Sequence, residues 1–332
     1  MAKAKIESKG ADATLAELEK KYGLGKVNRS SLTIVNSGSY TINRATNLGG
    51  YPLGKLIELF GQESSGKSTI VLHAIAQFQK AFPNRKVALV DYEYSFDLKY
   101  AQSLGVDTDE LVVYQPDNQE QGYDMIIGLL EKELCSLIVI DSHTAAIPEK
   151  IIEGEMGDAT MGLAARNNSK FLGKIKGLLE RSQTLVMAIS QTRTNIGGMG
   201  DVNVPTGGNA WKFYADMRFK IWKSLDKEGH LNKTTLDVIK NKCASPFGKA
   251  EFNINWGTGI DTVQEILDLG LEAGIIKRAG SWYSYGEEKL GQGAKGVKEL
   301  FQSNPQLFEE VKDKVLNFKS KEEDVVEPVE EF

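Results

Sequence analysis

The sequence predicts an α/β fold in which a mostly parallel sheet carries a nucleotide-binding loop. Three observations lead to this prediction. Apolar strand-like runs alternate with helical patterns from residue 55 onward. The stretch "GQESSGKST" at 61–69 has the composition of a phosphate-binding loop and stands between one such strand and one such helix. After residue 215 the helices give way to consecutive strand-like runs, which indicates that antiparallel strands extend the sheet.

The alternation assigns most elements of the core. Apolar runs separated by helices are typical of strands that are buried on both faces of a parallel sheet. The predicted strands cover 55–60, 86–93, 110–115, 136–142 and 184–190. The predicted helices between them cover 69–82, 97–104, 119–134 and 161–181. Three later runs, "MRFKIWK", "TTLDVIKN" and "AEFNINW", are predicted to add antiparallel strands.

The length indicates more than one domain. A chain of 332 residues exceeds one ordinary core and suggests roughly two domains with extensions. We assign an amphipathic helix and linker to 1–50, the nucleotide-binding core to 51–258, a small α+β domain to 259–318 and an acidic tail to 319–332. In the small domain the pattern predicts a helix, a short hairpin around "SWYSYGEEK" and two further helices.

Composition excludes several classes of protein. Hydrophobic residues make up 41% and charged residues 26% of the chain, as in soluble globular proteins. No apolar run approaches the length of a membrane span, and the charged start has no signal-peptide region. Cys135 and Cys243 suggest a reduced cytoplasm, so we expect a cytoplasmic protein that contacts no membrane. The net charge of −5 does not suggest nucleic acid by itself, but the final "KEEDVVEPVEEF" supplies six of the carboxylates.

The loop at 61–69 predicts binding of a nucleoside triphosphate with Mg²⁺. Gly61, Gly66, Lys67 and Ser68 fit the pattern G-x-x-x-x-G-K-[ST]. Backbone N–H groups of such a loop hold phosphates, the lysine reaches the β and γ phosphates, and the serine hydroxyl ligates Mg²⁺. A following helix favours the anion further. We therefore assign these residues to nucleotide binding: Gly61, Gln62, Glu63, Ser64, Ser65, Gly66, Lys67, Ser68 and Thr69.

Polar side chains follow three of the predicted strands. Glu93 in "DYEYSFD" can activate the attacking water, while Asp91 is either structural or, like Glu93, a solvated strand end. Asp141 ends the apolar run "SLIVIDS", where a carboxylate holds Mg²⁺, usually through water. Gln191 in "ISQTR" is either a sensor of the γ-phosphate or a plain buried glutamine.

Two long glycine-rich stretches predict contact with an anionic polymer. They cover 153–166 and 192–210 and contain few large apolar residues. Long loops in compact domains are usually functional or mobile. The first opens into a helix with a basic stripe, which is either a binding surface or a solvated face, formed by Arg166, Lys170 and Lys174. The second pairs Arg193 with a Gly-Gly-Asn exit whose N–H groups could bind phosphates.

The chain resembles the RecA family of bacterial homologous recombinases over roughly 11–318. The resemblance is carried by "GQESSGKST", "LGVDTDELVVYQPD", "EGEMGDATMGLAAR", "TGGNAWKFYA", "IKNKCASPF" and "AGSWYSYGEEKLGQG", in the family's order and spacing. It implies an ATP-dependent, helical homo-oligomeric filament that coats single-stranded DNA, searches double-stranded DNA for homology and exchanges strands. It also implies DNA-dependent ATP hydrolysis and a role in recombination, DNA repair and the SOS response.

The resemblance assigns roles at the nucleotide. Glu93 matches the catalytic carboxylate and Gln191 the γ-phosphate sensor. Asp97 and Tyr100 match residues around the adenine, and Trp256 and Gly257 match positions where a neighbouring subunit covers the base. Lys240 and Lys242 match cations that this neighbour inserts against the phosphates.

The resemblance also assigns a DNA path and a subunit interface. Two DNA-binding loops cover about 153–161 and 192–208. Phe213 matches an interface position, and the helix at 11–22 matches the segment that docks on the next protomer. The residues expected along the DNA strand are Met161, Gly162, Arg166, Ser169, Arg193, Ile196, Gly207, Gly208 and Asn209.

Some residues depart from the family pattern. The second loop is shorter and richer in glycine than usual, Gly173 stands where many relatives have an arginine, and Ser190 replaces a common asparagine. "GQGAKG" shifts a lysine in the C-terminal domain, which leaves the duplex site undefined. These departures suit a divergent or phage-encoded member. Two other function classes, a ring-forming motor and a non-catalytic DNA scaffold, are disfavoured by "GLAAR" with "TGGNA" and by the intact nucleotide residues, respectively.

Overall fold

The computed structural model describes residues 31–155, 162–194, 203–205, 208–225 and 231–318. The chain divides into two compact units, Met1–Thr33 and Ile34–Phe332, and the architecture below is that of the second. The helix predicted at 11–22 and the tail at 319–332 lie outside the described residues. Within the described part of the chain, no helix is long and apolar enough to cross a bilayer.

A large mixed sheet forms the centre of the second unit. A small ladder of β1 (Ile34–Val35) and β2 (Tyr51–Pro52) precedes it. The described strands of the large sheet, ten in number, are β3 (Leu56–Gly61), β4 (Lys86–Asp91), β5 (Leu111–Tyr114), β6 (Cys135–Asp141), β7 (Leu185–Thr194), β8 (Asn203–Pro205), β9 (Met217–Leu225), β10 (Leu231–Asn241), β11 (Lys249–Asn255) and β12 (Gly259–Ile260). Their order is β12-β11-β10-β9-β3-β7-β6-β4-β5, with β8 paired to β7.

Helices cover both faces of this sheet. One face carries α1 (Tyr40–Ala45), α2 (Lys67–Ala81) and α3 (Leu98–Ser103), and the other carries α4 (Gln119–Glu131), α6 (Leu163–Ser182) and α7 (Ala210–Tyr214). A short helix, α5 (Glu149–Glu153), follows β6. Because the central strands are buried from both sides, their sequences are continuously apolar rather than alternating. The predicted α/β class is therefore confirmed.

The strand after residue 215 differs from the sequence prediction in direction. β9, the run "MRFKIWK", pairs parallel to β3, and the antiparallel extension begins only at β10. A long connection through β8 and α7 separates β7 from β9 along the chain. It brings the chain back to the N-terminal end of β3, so that β9 can run parallel to β3 on the side opposite to β7. The prediction of three antiparallel additions was wrong for the first of them.

The C-terminal part of the described chain forms its own apolar cluster. It contains α8 (Thr262–Glu272), α9 (Gly293–Ser303), α10 (Pro305–Leu316) and a three-stranded sheet of β13 (Ile276–Ala279), β14 (Trp282–Tyr285) and β15 (Glu288–Gln292). Sequence analysis predicted only a hairpin here and missed β13. The buried Glu265 carboxylate joins α8 to α1, since it accepts the Ser39 hydroxyl at 2.5 Å and the Thr41 amide at 3.2 Å.

Candidate nucleotide and nucleic-acid site

The phosphate loop connects β3 to α2, and its two glycines are required by geometry. Gly66 has φ +99°, and a Cβ there would lie 2.4 Å from Ile254 Cδ1. A Cβ at Gly61 would lie 1.9 Å from the Ile221 carbonyl oxygen. A side chain at either position would push the loop away from the neighbouring strands β9 and β11. The loop therefore places backbone N–H groups at the start of α2, where phosphates are favoured.

Lys67 is buried at the base of this loop. Its side chain is 8% exposed, and Nζ donates to the carbonyl oxygens of Gly61 at 3.0 Å and Gln62 at 2.7 Å. Burial lowers the pKa of the ammonium, while Asp141 and Glu93 oppose this shift. Phosphate oxygens can replace the two carbonyl acceptors without a change in the kind of bond. Lys67 thus lies within the loop at 61–69, and its contact with phosphates stays a prediction.

Ser68 and Asp141 form a hard oxygen pair that suits Mg²⁺. Ser68 Oγ donates to Asp141 Oδ2 at 3.3 Å. Burial raises the pKa of Asp141 to about 7, with further raising by Glu93 and Asp91 and opposing effects of Ser68 and Lys67. A cation beside the carboxylate would favour its ionised form. No group of three or more His, Cys, Asp or Glu residues able to hold a metal occurs in the described ranges.

Glu93 is oriented by two hydrogen bonds to one of its oxygens. Ser142 Oγ donates to Oε1 at 2.5 Å, and Gln191 Nε2 donates to the same atom at 2.8 Å. The backbone N–H of Gln191 donates to Thr144 Oγ1 at 3.0 Å. The second carboxylate oxygen has no hydrogen-bond partner among the described residues and is available to a water molecule. The side chains predicted as general base and as γ-phosphate sensor are thus in direct contact.

Asp91 supports the segment that carries Glu93. It is 1% exposed and accepts the backbone N–H of Glu93 at 3.1 Å and of Phe96 at 3.2 Å. Gln115 Nε2 donates to it at 3.0 Å. With its oxygens occupied in this way, Asp91 has the structural role that the sequence analysis left open, and it is no solvated strand end.

The other end of the nucleotide pocket is aromatic. Tyr100 stacks on Trp256 with ring centroids 5.8 Å apart and planes at 14°. The Tyr100 hydroxyl lies 2.9 Å from Thr69 Oγ1, and Asp97 caps α3 by accepting the Tyr100 N–H at 3.0 Å. Both rings line a cavity of about 330 Å³ together with the phosphate loop. These aromatic faces can hold a base by stacking.

Trp256 and Gly257 lie beside the nucleotide pocket of their own chain, and cover of the base by a neighbouring subunit stays a prediction. The resemblance implies that Trp256 and Gly257 belong where a neighbouring subunit covers the base. In the structure Trp256 lies over Tyr100 of its own chain, and Gly257, with φ +81°, forms the turn behind it. The turn between β11 and β12 lies beside α2 because β9, β10 and β11 continue the sheet past the phosphate loop. Trp256 is 94% exposed, so its outer face remains accessible.

Lys240 points away from the phosphate loop of its own chain. Val238 belongs to the core on the α2 face, but a register irregularity between Val238 and Lys240 turns the lysine to the opposite face. There its Nζ donates to the carbonyl oxygens of Lys212 at 2.8 Å and Phe213 at 3.1 Å, at the end of α7. Burial lowers its pKa, and Lys242 lowers it further. Lys240 therefore lies on the face of the sheet opposite to α2, and Lys242 is exposed close to it.

Phe213 lies on this same surface. Its ring is 68% exposed, although its carbonyl oxygen accepts the bond from Lys240. Exposed large aromatic side chains often mark contact sites between proteins. The structure thus places the predicted interface residue next to the predicted cations, and the surface formed by Phe213, Lys240 and Lys242 is called the donor face below.

The exits of the two predicted DNA loops meet. Gly162 has φ +76° and begins α6, while Gly208 has φ +88° and precedes α7. A Cβ at Gly208 would lie 2.9 Å from Ala165 Cβ. Asn209 is exposed beside this contact. The backbone of Arg193 pairs with Val204 between β7 and β8. Met161, Ile196 and Gly207 lie outside the described residues.

The basic stripe of α6 is exposed along its length. Arg166, Lys170 and Lys174 all face solvent, and Arg166 makes no ion pair within the described part of the chain. Ser169, on the same side, is exposed and donates to the Ala165 carbonyl at 3.0 Å. An unpaired guanidinium beside two converging loops can bind a phosphate, which is the first of the alternatives left open for this stripe.

Sequence analysis missed several residues of the site. Ser142 and Thr144 orient Glu93 and Gln191, and the sequence signal was their position directly after Asp141 in "DSHT". Lys223 lines the nucleotide cavity from β9. Lys223 reaches the cavity because β9 pairs parallel with β3. No local sequence pattern predicts that pairing.

Comparison with known proteins identifies the family. The family model of the RecA N-terminal domain matches residues 9–261, and the family model of the RecA C-terminal domain matches residues 264–319. Protein RecA of Bacteroides thetaiotaomicron is 45% identical over 314 residues, covering 91% of this chain and 94% of the relative. Protein RecA of Porphyromonas gingivalis is 45% identical over 312 residues, covering 90% and 91%. Protein RecA of a Nocardioides species is 43% identical over 321 residues, covering 93% and 91%.

The two matches cover nearly all described residues. The first contains the large sheet, and the second contains most of the C-terminal cluster. The phosphate loop, the Glu93 and Gln191 pair and the two converging loops all fall within the first match. The chain belongs to the RecA family of DNA recombinases.

Proposed function

We propose that the chain hydrolyses ATP inside a helical filament on single-stranded DNA and uses this filament to pair and exchange strands with duplex DNA. The observation that carries the proposal is the bond from Gln191 Nε2 to Glu93 Oε1 at 2.8 Å. This bond joins the Glu93 carboxylate, which is suited to hydrolysis, to the C-terminal part of β7. β7 is the strand that leads to the second glycine-rich loop. One hydrogen bond thus connects the proposed site of ATP hydrolysis to the strand that enters the proposed DNA-binding loop.

The chain's own groups supply most of the chemistry. Glu93 accepts a proton from the attacking water through Oε2, while Ser142 and Gln191 hold the carboxylate by Oε1. Lys67 binds the β and γ phosphates in place of the loop carbonyls. Ser68 and Asp141 would hold Mg²⁺, which neutralises charge on the transferring phosphoryl group.

The neighbouring subunit completes the site. Lys240 and Lys242 lie on the donor face, so the phosphates that they reach belong to another protomer. A cation that is supplied in trans stabilises charge in the manner of an arginine finger. Hydrolysis then requires contact between subunits, and ATP strengthens that contact.

The DNA path follows the converging loop exits. Arg166 and the basic stripe of α6 supply cations, and the close approach of Gly208 to Ala165 leaves room for a backbone near the N–H groups of the loop. Contacts of this kind bind phosphates without reading bases. A recombinase needs such contacts, because it must accept any sequence.

One experiment distinguishes the proposal from a ring-forming motor and from a scaffold. ATP turnover is measured with and without single-stranded DNA, and the same samples are imaged by negative-stain electron microscopy. DNA-stimulated turnover together with helical filaments is expected. Closed rings would favour the motor, and filaments without turnover would favour the scaffold. Cytoplasmic location stays a prediction from the cysteine content.

A further inference from the structure

A buried pair of rings connects the nucleotide site to α7. His143 is 2% exposed and stands between Ser142 and Thr144, and Trp211 is 1% exposed in α7. Their rings stack with centroids 4.2 Å apart and planes at 18°. No role in nucleotide or DNA binding is assigned to either side chain above, because neither reaches a surface.

The hydrogen bonds around His143 determine its tautomer. Ser190 Oγ donates to Glu58 Oε1 at 2.8 Å, and the other oxygen of Glu58 accepts Arg218 Nε at 2.5 Å. Since the Ser190 hydroxyl hydrogen is used in this bond, His143 Nε2 must donate to Ser190 Oγ at 2.5 Å. His143 Nδ1 therefore carries no hydrogen. It is buried without a hydrogen-bond partner in the part of the chain that the structure describes, as is Trp211 Nε1.

These two nitrogens are two of eight buried side-chain polar atoms that have no hydrogen-bond partner among the described residues. Buried nitrogen atoms normally find hydrogen bonds, and an orphan costs stability. An apolar pair of similar volume would fill the same space without this cost. What distinguishes this pair from the other six atoms is its place between the nucleotide site and α7, where the two rings stack.

The backbone around His143 holds the catalytic constellation. Ser142 donates to Glu93, and Thr144 accepts the backbone N–H of Gln191. The N–H of His143 itself donates to the Ile189 carbonyl at 3.1 Å. A shift of Glu93 or Gln191 toward a γ-phosphate must move these neighbours, and the His143 ring between them moves as well.

The helix α7, which carries Trp211, reaches two surfaces. α7 follows directly after Gly208 and Asn209, at the exit of the second glycine-rich loop. Its other end carries Phe213 and the two carbonyl oxygens that accept Lys240. A small rotation of α7 about Trp211 would therefore change both the DNA path and the donor face.

We propose that His143 and Trp211 are positioning residues that couple occupancy of the nucleotide site to α7. The proposal rests on the proposed function, because it presupposes that ATP and DNA bind one filament. The pair transmits an ATP-like state to the loop exit and to the donor face. By thermodynamic reciprocity, bound DNA must favour the ATP-like state through the same contact.

The first test measures the coupling itself. The affinity for a single-stranded oligonucleotide is determined with ATPγS and with ADP, and the ratio of the two affinities is compared among variants. His143→Ala and Trp211→Ala are expected to bind ATPγS within about threefold of wild type and to reduce the ratio at least about fivefold. Trp211→Phe, which keeps an aromatic ring on His143, should retain most of the ratio. Trp222→Phe on β9 is the matched control and should equal wild type.

The second test needs no disruptive variant. The difference in fluorescence between wild type and Trp211→Phe reports Trp211 alone. It should change when DNA filaments formed with ADP are exchanged for filaments formed with ATPγS, because the ring contact changes.

The outcomes separate the two levels of the account. A wild-type ratio in folded His143→Ala, or a Trp211 signal that is identical with both nucleotides, would overturn the coupling role and leave the proposed function intact. If wild type itself binds no single-stranded DNA, or binds it equally with both nucleotides, the proposed function fails and the coupling proposal fails with it.

Discussion

Gln191 donates its side-chain amide to Glu93 at 2.8 Å, so the ends of strands β4 and β7 are joined across β6. This bond is directed to the same carboxylate oxygen that accepts Ser142. A γ-phosphate that attracts the Gln191 amide would release one of the two bonds and change the environment of Glu93. If Gln191 senses the γ-phosphate and Glu93 acts in hydrolysis, as proposed, this bond links the two functions.

The role of Glu93 predicts a defect in hydrolysis alone. Glu93→Gln should leave ATP binding and filament formation intact and slow hydrolysis by about 10²-fold or more, because general-base contributions are of this order. Single-turnover hydrolysis on single-stranded DNA measures the effect, and filament imaging serves as the control. Turnover within threefold of wild type would remove Glu93 from this role.

The donor face predicts complementation between subunits. Lys240→Ala and Lys242→Ala should lose DNA-stimulated hydrolysis while monomers still bind nucleotide, since the cations act on the neighbour's ATP. Mixing either variant with Lys67→Ala subunits should restore turnover at junctions that pair an intact Lys67 site with an intact donor face. If mixed filaments form and no ratio restores turnover, the cations act within their own chain.

The exposed stripe on α6 predicts a specific salt dependence. Arg166→Ala should weaken binding to all single-stranded sequences alike and make the slope of log affinity against log salt shallower by roughly 0.7, the share of one phosphate. Ile196→Ala should leave this slope unchanged and weaken stretching of the strand. Arg181→Ala, exposed at the far end of the same helix, is the matched control. An unchanged slope with a lower melting temperature in Arg166→Ala would mean that the arginine is structural.

The imidazole of His73 predicts acid sensitivity of the fold. Burial lowers its pKa from 6.5 to about 4, with a smaller effect of Lys80, and its Nε2 accepts the Ile260 N–H at 3.0 Å. Because the unfolded chain takes up the proton first, stability should fall as pH decreases from about 6.5 to 4 and should be unaffected above that window. The loss is at most about 3 kcal/mol.

His73→Gln tests this prediction, because an amide oxygen can accept the same N–H and does not titrate. Chemical denaturation of monomers at several pH values should give a shallower decline below pH 6.5 for the variant. Parallel curves for both proteins would show that His73 is not the titrating group.

Much of the site was predictable because it depends on local pattern. The spacing of Gly61 and Gly66 predicts a tight loop, because only glycine fits at these two positions. Glu93, Asp141 and Gln191 each lie at the end of an apolar run in the sequence. Carboxyl ends of parallel strands meet at one edge of the sheet, which explains why these side chains lie close together. The α/β class followed from the same alternation.

The parts that escaped prediction depend on long-range pairing. β9 reads like the antiparallel strands that follow it, and only the return of the chain through α7 makes it parallel to β3. Trp256 lies on Tyr100 of its own chain because three added strands bring it there. The orphan nitrogens of His143 and Trp211 arise from tertiary packing and leave no local pattern.

The DNA stimulation of ATP hydrolysis in Gln191→Ala tests the central claim most directly. Rates are measured with saturating ATP, with and without single-stranded DNA, beside binding of ATPγS to the same protein. The account predicts that Gln191→Ala binds ATPγS within about threefold of wild type and loses at least about tenfold of the DNA stimulation, because the link between Glu93 and β7 is broken. Stimulation equal to that of wild type would contradict the account.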